Sequence, residues 1–588
     1  MREMPDYIEN MENMMTKGEK ARLGEIYAPQ VVCTPPANAW MDMTAMPDGE
    51  IRCYGKQNGR RVYFSSCDAG LSWKICDVDD PTAMCSALKS PYSNRWIQSY
   101  YVEGEGGYQN SEMPTPPSDK SGWQAVVSEE GPGGRVWWVK ICDDNVRCPR
   151  YPLALRKRRR ILITANLQTW PTSPIVARTD DEGETWQVAR LKGAPLHEAS
   201  WPHQGVRWQN GSCEASILER EDGSLLMFAR TSQDYHYQYE SFDGGETWTD
   251  PKPSALHGTL TMPTLLKLSN GASLCFFCNT QPLPEENHLA AKPPLNESER
   301  LGRSEDVFTN RDANHAAVSL DEGKTWKGLR ELHLNTIRNA SDFRTCGGNL
   351  GSLDKSVHQF QALELPLGKV LLMYGQHAYS RGMLIFDPMW LLEKEREENF
   401  QMGLIHVSTQ VYLKSVFGNL RTAAGHCAWN RMPGAVLMPD PDENYEEAVF
   451  IRANADKRLF SPQQGLVWNF PAAKCGEVCV RMRPGEEEIT LTLADRWFNP
   501  CDSLVGAFSP FQVKVSDAVC PKGQWSELII RWNEEYAECT LNCEPFLKIK
   551  AACAAPNGLC YLVIQSAQYP SEKTGGYVKK LTMRSLDE

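Results

Sequence analysis

Glu214 and Arg150 each open an apolar run in this 588-residue chain, a place where a lone charge is expensive to keep. A carboxylate there can move a proton or activate water, and a guanidinium can grip an anion through paired N–H donors. Their spacing is shared with three other segments. Trp40, Arg150, Glu214 and Gln359 each stand nine residues before a turn position, at Gly49, Arg159, Gly223 and Gly368, and Thr261 opens the corresponding run ahead of Gly271. The plainer alternative for Glu214 and Arg150 is a salt bridge that only orders the chain.

The elements that must position these residues announce themselves through a repeat. The pattern [ST]-x-D-x-G-x-x-W occurs four times, as SCDAGLSW at 66–73, TDDEGETW at 179–186, SFDGGETW at 241–248 and SLDEGKTW at 319–326. The Asp can accept hydrogen bonds from turn N–H groups, the Gly can take positive φ, and the Trp can pack on a sheet. Each copy follows short strand-like runs bounded by turn residues, the sign of an all-β architecture.

These repeats resemble the Asp-boxes of the sialidase (neuraminidase) superfamily, which implies a six-bladed β-propeller. In a propeller the innermost strand of each blade brings its first residues to the mouth of the central channel. The predicted rim therefore holds Trp40, Arg150, Glu214, Thr261 and Gln359, with the strand EIYAPQVVC as a candidate to complete the ring.

The resemblance is closest at 214–230, where Glu214 and Arg230, sixteen residues apart, match a family Glu and Arg. It implies that Arg230 helps clamp a sugar carboxylate and that Glu214 acts as a base toward a Tyr nucleophile. Arg311, eight residues ahead of Ser319, matches a further clamp arginine, and RYP at 150–152 resembles the family's Arg-Ile-Pro opener, standing here in the second blade. Gln359 occupies the position of the family's Tyr, and GKQNGRRVYFS at 55–65 has no equivalent of its mobile Asp.

Without that nucleophile the chemistry shifts toward an inverting hydrolase, which uses an acid and a base carboxyl about 6.5–9.5 Å apart. Asp42 and Asp354 are the candidate partners for Glu214. His257 is a further acid or base, or else a hydrogen-bonded loop residue. Tyr235 and Tyr237 could stack a sugar, or pack on their own sheet. The expected function is exo-acting hydrolysis of a terminal acidic sugar, sialic acid-like or uronic acid-like, from a glycan or oligosaccharide. The alternatives are a glycan-binding propeller without catalysis and a lyase acting on a uronate.

The remaining features narrow the class. A formal charge of −12 and a pI near 5.6 argue against nucleic acid as a partner, and RKRRR at 156–160 reads as a solvated turn. The N-terminus lacks a secretory apolar core and no 18-residue apolar run occurs, so the expectation is a cytoplasmic chain with no membrane partner. The 20 cysteines are read as reduced, including Cys275 and Cys278, which alternation sends to opposite faces. No metal or cofactor pattern is found. The predicted organisation is a lead-in over 1–30, the propeller over 31–405, a linking segment over 406–445, and a β-sandwich over 446–588. The stretch at 524–551 resembles the long hairpin of concanavalin-like jelly-rolls.

Overall fold

The computed structural model describes residues 5–35, 43–78, 84–103, 114–198, 211–282, 311–332, 339, 356–375, 381–412, 431–459, 461–515, 520–571 and 573–587. Six antiparallel sheets follow one another along the chain, at 43–77, 88–142, 146–190, 213–257, 264–331 and 361–386. Five have four strands and the third has five. The sixth is completed by the N-terminal strand Gln30–Cys33, which pairs antiparallel with Gly382–Phe386 and so closes the ring. These are the blades of a six-bladed β-propeller.

Each junction between neighbouring blades carries a polar tie. Thr44 Oγ1 accepts from the Ala87 N–H, and Glu182 accepts from Ser90 Oγ. Glu219 accepts from the N–H groups of Arg156 and Lys157 at 2.6 and 3.0 Å, and Glu322 from that of Glu221 at 2.9 Å. Glu364 takes the N–H of Ser269, and Gln361 Nε2 donates to the Met43 carbonyl, joining last blade to first. Most of these carboxylates are buried, and each is satisfied by the preceding blade, Glu182 through a serine hydroxyl and the other three through turn amides. The basic run at 156–160 serves the same end: Arg160 pairs with Asp180 and Glu246, Arg159 with Glu182, and Arg158 donates to the Asp243 carbonyl.

The four boxes form the turns expected of them. In the third copy Ser241 Oγ donates to Asp243, Gly245 N–H to Ser241 Oγ, and Thr247 N–H and Oγ to Asp243, while Trp248 Nε1 caps the Gly245 carbonyl at 3.2 Å. Burial works to raise the Asp243 pKa, but the Thr247, Ser241 and Glu246 donors prevail and hold it at about 2. The sequence alignment of inner strands found five blades and missed 88–142, whose inner turn, SPYSNR at 90–95, has no glycine and whose outer turn, after Ser128, has Glu130 in place of the box Asp and no Gly or Trp at box spacing. RYP therefore stands in the third blade and not the second.

Two helices, Asp6–Met14 and Lys17–Glu25, precede the closing strand, the second opened by a reciprocal Thr16–Glu19 cap. Met11, Met15, Leu23 and Ile26 pack on Leu371, Met373 and Ile51 beneath the seam between the sixth and first blades. Gly49 allows this approach: it lies at φ +94°, and a Cβ there would fall 2.4 Å from the Met11 nitrogen.

Two further sheets form the C-terminal sandwich, with Trp468, Phe470, Val478, Val480, Leu491 and Ile530 among the side chains packed between them. The strand Gly465–Ala473 is buried on both faces. Leu466 and Trp468 face the sandwich interior, while Val467 joins Trp497, Tyr561 and Val563 against Phe277, Ala317 and Leu329 of the propeller. Strand pairing with the sandwich begins at Glu395–Glu398, laid against Gly576–Ser585, and continues with Val407–Ser408 and Val436–Pro439. Residues at 395–445 thus contribute strands to sandwich sheets. Among the described residues no helix is long and apolar enough to cross a membrane. Cys275 and Cys278 belong to different apolar clusters, on opposite faces of their strand, and burial raises both thiol pKa values.

Replacing Asp243 by Ala should cost about 1–3 kcal/mol in urea unfolding, because several turn donors lose their acceptor. A second test concerns Asp502, buried in the loop after the strand Ile489–Ala494, where burial lifts its carboxyl to about 7 from 3.8. Protonation favours the fold there, so its contribution is full below pH 3.8 and is lost as pH rises to about 7. Asp502→Asn should flatten the fall in Tm between those limits, and an unchanged slope would reject the assignment.

Candidate active site at the propeller mouth

Glu214 lies at the start of the fourth blade's inner strand with φ +48°, a left-handed conformation that costs a non-glycine residue about 1–3 kcal/mol. The ladder with Leu225–Arg230 slips between Cys213 and Ser216 to accommodate it. Its backbone is held from the neighbouring blade, where Asn166 Oδ1 accepts the Glu214 N–H at 2.6 Å. The bulge aims the carboxylate at Arg230, whose Nη1 donates to Glu214 Oε2 at 2.9 Å. Both side chains are largely buried, 12% and 9% exposed.

Two more guanidiniums act on the same carboxylate. Arg311, on the fifth blade, is 2% exposed and donates from Nη2 to the Leu260 carbonyl at 2.6 Å. Arg150, on the third, is anchored by its N–H to the Thr164 carbonyl at 2.8 Å and rests its Nη1 on Met262 Sδ. Burial pushes the Glu214 pKa up, but the charge and hydrogen bond of Arg230 oppose it, helped by the charges of Arg311 and Arg150, and the net shift is downward from 4.5. Glu214 is ionised at neutral pH, in the state of a base. Three guanidiniums thus act on one carboxylate in a setting of low polarity, where charges interact strongly.

A cavity of about 180 Å³ runs down the channel from Arg150 and is bordered by Ala215 and Ser216, next to Glu214, by Thr264, and by Phe360 and Gln361, next to Gln359. The inner strands of the third to sixth blades therefore converge as the rim alignment requires. Gln359 itself has φ +65°, the same left-handed geometry as Glu214. Trp40, Asp42 and Asp354 lie outside the described residues. Among the described residues no cluster of His, Cys, Asp or Glu could hold a metal ion.

The remaining candidates go elsewhere. His257 ends the outermost strand of its blade and faces the sandwich: Asp495 Oδ2 is 3.0 Å from Nε2, and Arg496 Nη1 is 2.7 Å from Nδ1. Both ring nitrogens are thus engaged at the domain junction, and burial together with Arg496 lowers the His257 pKa in spite of Asp495. Tyr235 stacks on His257, with ring centroids 4.6 Å apart, and Tyr237 is 8% exposed. Neither offers an open ring to a sugar in the channel, Tyr235 because His257 covers one face and Tyr237 because it is buried.

Asn166 was not among the sequence candidates, although a signal for it exists. Carried into the second strands, the inner-strand alignment puts Asn166 seven residues after Arg159 and Arg230 seven after Gly223, at equivalent positions on adjacent blades.

The model of the BNR repeat-like domain family matches residues 146–401, which span the third to sixth blades. No curated protein sequence matches the chain. Among solved structures, Trypanosoma rangeli sialidase in complex with 2,3-difluorosialic acid is similar with a TM-score of 0.35 and 10% identity, over 94% of this chain and 92% of that one. A Dyadobacter fermentans protein of unknown function is similar with a TM-score of 0.38 and 15% identity, over 62% of this chain and 99% of that one.

Asn166→Ala should leave the fold intact and weaken anion binding at the mouth by roughly tenfold, since it frees the backbone that aims Glu214. Titration of the purified variant with sialic acid and glucuronic acid checks this, and unchanged affinity for whichever of them binds the parent protein would remove Asn166 from the site.

Proposed function

We propose that the protein is a carbohydrate-active enzyme that holds an anionic terminal sugar at the propeller mouth and hydrolyses it with Glu214 as base. The observation that carries this reading is the buried, ionised Glu214 among Arg230, Arg311 and Arg150. The arginines suit a carboxylate of the sialic acid or uronic acid kind, because a planar guanidinium matches a planar carboxylate through two parallel bonds.

Gln359 has no ionisable group, so the family's covalent route lacks its attacking oxygen at that position. Water activated by Glu214 would then attack directly, with inversion, and the proton for the leaving oxygen would come from a second carboxyl. Asp42 and Asp354 remain the candidates for that acid. The reading places the chain near sialidases in chemistry on the strength of the Glu214–Arg230–Arg311 correspondence and the BNR repeat match.

A second reading, a glycan-binding propeller without turnover, is favoured by one feature: the groups that act on Glu214 are guanidiniums, and its strongest partner, Arg230, already occupies one carboxylate oxygen. An eliminating enzyme would need a base near the sugar C5, and His257 is committed to Asp495 and Arg496.

A panel of aryl sialosides and aryl uronides separates these. Hydrolysis releases the phenol and a reducing sugar, elimination creates an ultraviolet-absorbing product, and binding alone yields neither. Glu214→Gln should lower kcat by about 10²–10⁴-fold with Tm nearly unchanged. Because the Glu214 pKa is depressed, the acid limb of kcat/KM should fall below pH 4.5. Turnover by Glu214→Gln at the parent rate would exclude the mechanism.

A further inference from the structure

The eight-stranded sheet of the sandwich has a gap along the strand Gly576–Ser585. On one edge that strand pairs with Glu447–Ile451 up to Val578, and with Glu395–Glu398 from Leu581 onward. Lys579 and Lys580 lie between these two partners, and on the opposite edge the ladder with Gly476–Arg483 bulges at Lys579. Over the gap opens a groove of about 810 Å³, distant in sequence from every propeller rim residue and lined by Asn399, Gln401, Tyr445, Glu447, Arg481 and Lys579 among others.

The groove is charged yet internally neutralised. Lys579 Nζ is clasped by Asp440 at 2.8 Å, Glu443 at 2.8 Å and Glu446 at 3.1 Å. Lys580 pairs with Glu397 at 3.0 Å. Arg481 has only a loose contact with Glu443 at 4.0 Å, and its buried Nε meets no hydrogen-bond partner among the described residues. Of the lining side chains, Glu443, Glu446 and Glu447 carry three negative charges, and Arg481, Lys579 and Lys580 three positive ones.

Beside this polar floor stands Tyr445, fully exposed at 107% and held at φ +66°, on a turn closed by Asp440, which accepts the N–H groups of Asp442 and Glu443. A left-handed backbone that projects an aromatic ring into water is costly on two counts, and neither cost is offset by packing within the chain.

We propose that this groove is a second carbohydrate site that takes a neutral oligosaccharide, separate from the anion site at the propeller mouth and independent of whether that site is catalytic. An anionic ligand would find both lysines already paired and only Arg481 held loosely, 4.0 Å from Glu443. A neutral sugar needs no counter-ion: its hydroxyls can accept from Arg481 and donate to Glu447, and the C–H face of a pyranose can cover the Tyr445 ring. The volume suits two or three sugar units rather than one.

The test is calorimetric titration of the full chain with lactose, maltotriose and N,N′-diacetylchitobiose, and with sialic acid as the charged comparison. Glu214→Gln protein is used to silence any turnover. At least one neutral sugar should bind, Tyr445→Phe should retain the affinity, and Tyr445→Ala and Arg481→Ala should each weaken it by roughly tenfold or more. Turnover of a short aryl glycoside by Tyr445→Ala should match the parent, which keeps failure here distinct from failure of the propeller site. Absence of binding by all three neutral sugars, or binding that Tyr445→Ala leaves unchanged, would overturn the proposal.

Discussion

Ring closure is the constraint on which the rest of this molecule depends. Six sheets meet around one channel only if the sixth finds its outer strand, and that strand, Gln30–Cys33, comes from the other end of the propeller sequence. The polar ties at the blade junctions act in the same direction, because each satisfies a carboxylate, hydroxyl or amide of one blade with a turn group of the next. Opening the ring at any junction would break those bonds and expose to water the apolar side chains packed between the blades. The rim inherits its geometry from this closure: Arg150, Glu214 with Arg230, and Arg311 sit on three successive blades, and only a closed ring brings their charges onto one carboxylate.

What the rim achieves is electrostatic. A carboxylate buried alone would take up a proton; beside Arg230, with Arg311 and Arg150 adding their charges, it gives it up. The chain as a whole is acidic, at −12, so the cluster of guanidiniums around Glu214 cannot be read from the bulk charge. Local strain supports the arrangement, since both Glu214 and Gln359 hold left-handed backbones where their strands begin.

The second domain is joined to the first by a strand with two apolar faces, Gly465–Ala473, and by a buried polar knot of His257, Asp495 and Arg496. This arrangement explains why the sequence left His257 and Tyr235 open between a sugar site and a structural role: nothing local reveals that a loop more than two hundred residues away meets His257, on which Tyr235 stacks. The missed blade at 88–142 has a different cause: inner strands were aligned on the glycine of the turn that follows them, and the turn at 90–95 has none.

The sequence by itself determined the all-β class and the four box turns, because these rest on short-range rules: strand alternation and turn chemistry. Only the tertiary structure decided how many blades precede the charged openers, that Asn166 holds Glu214 from the adjacent blade, and that His257 belongs to the domain junction. Those outcomes depend on contacts between segments that are far apart in the chain, and a residue's type and spacing carry no record of which distant surface will come to rest against it.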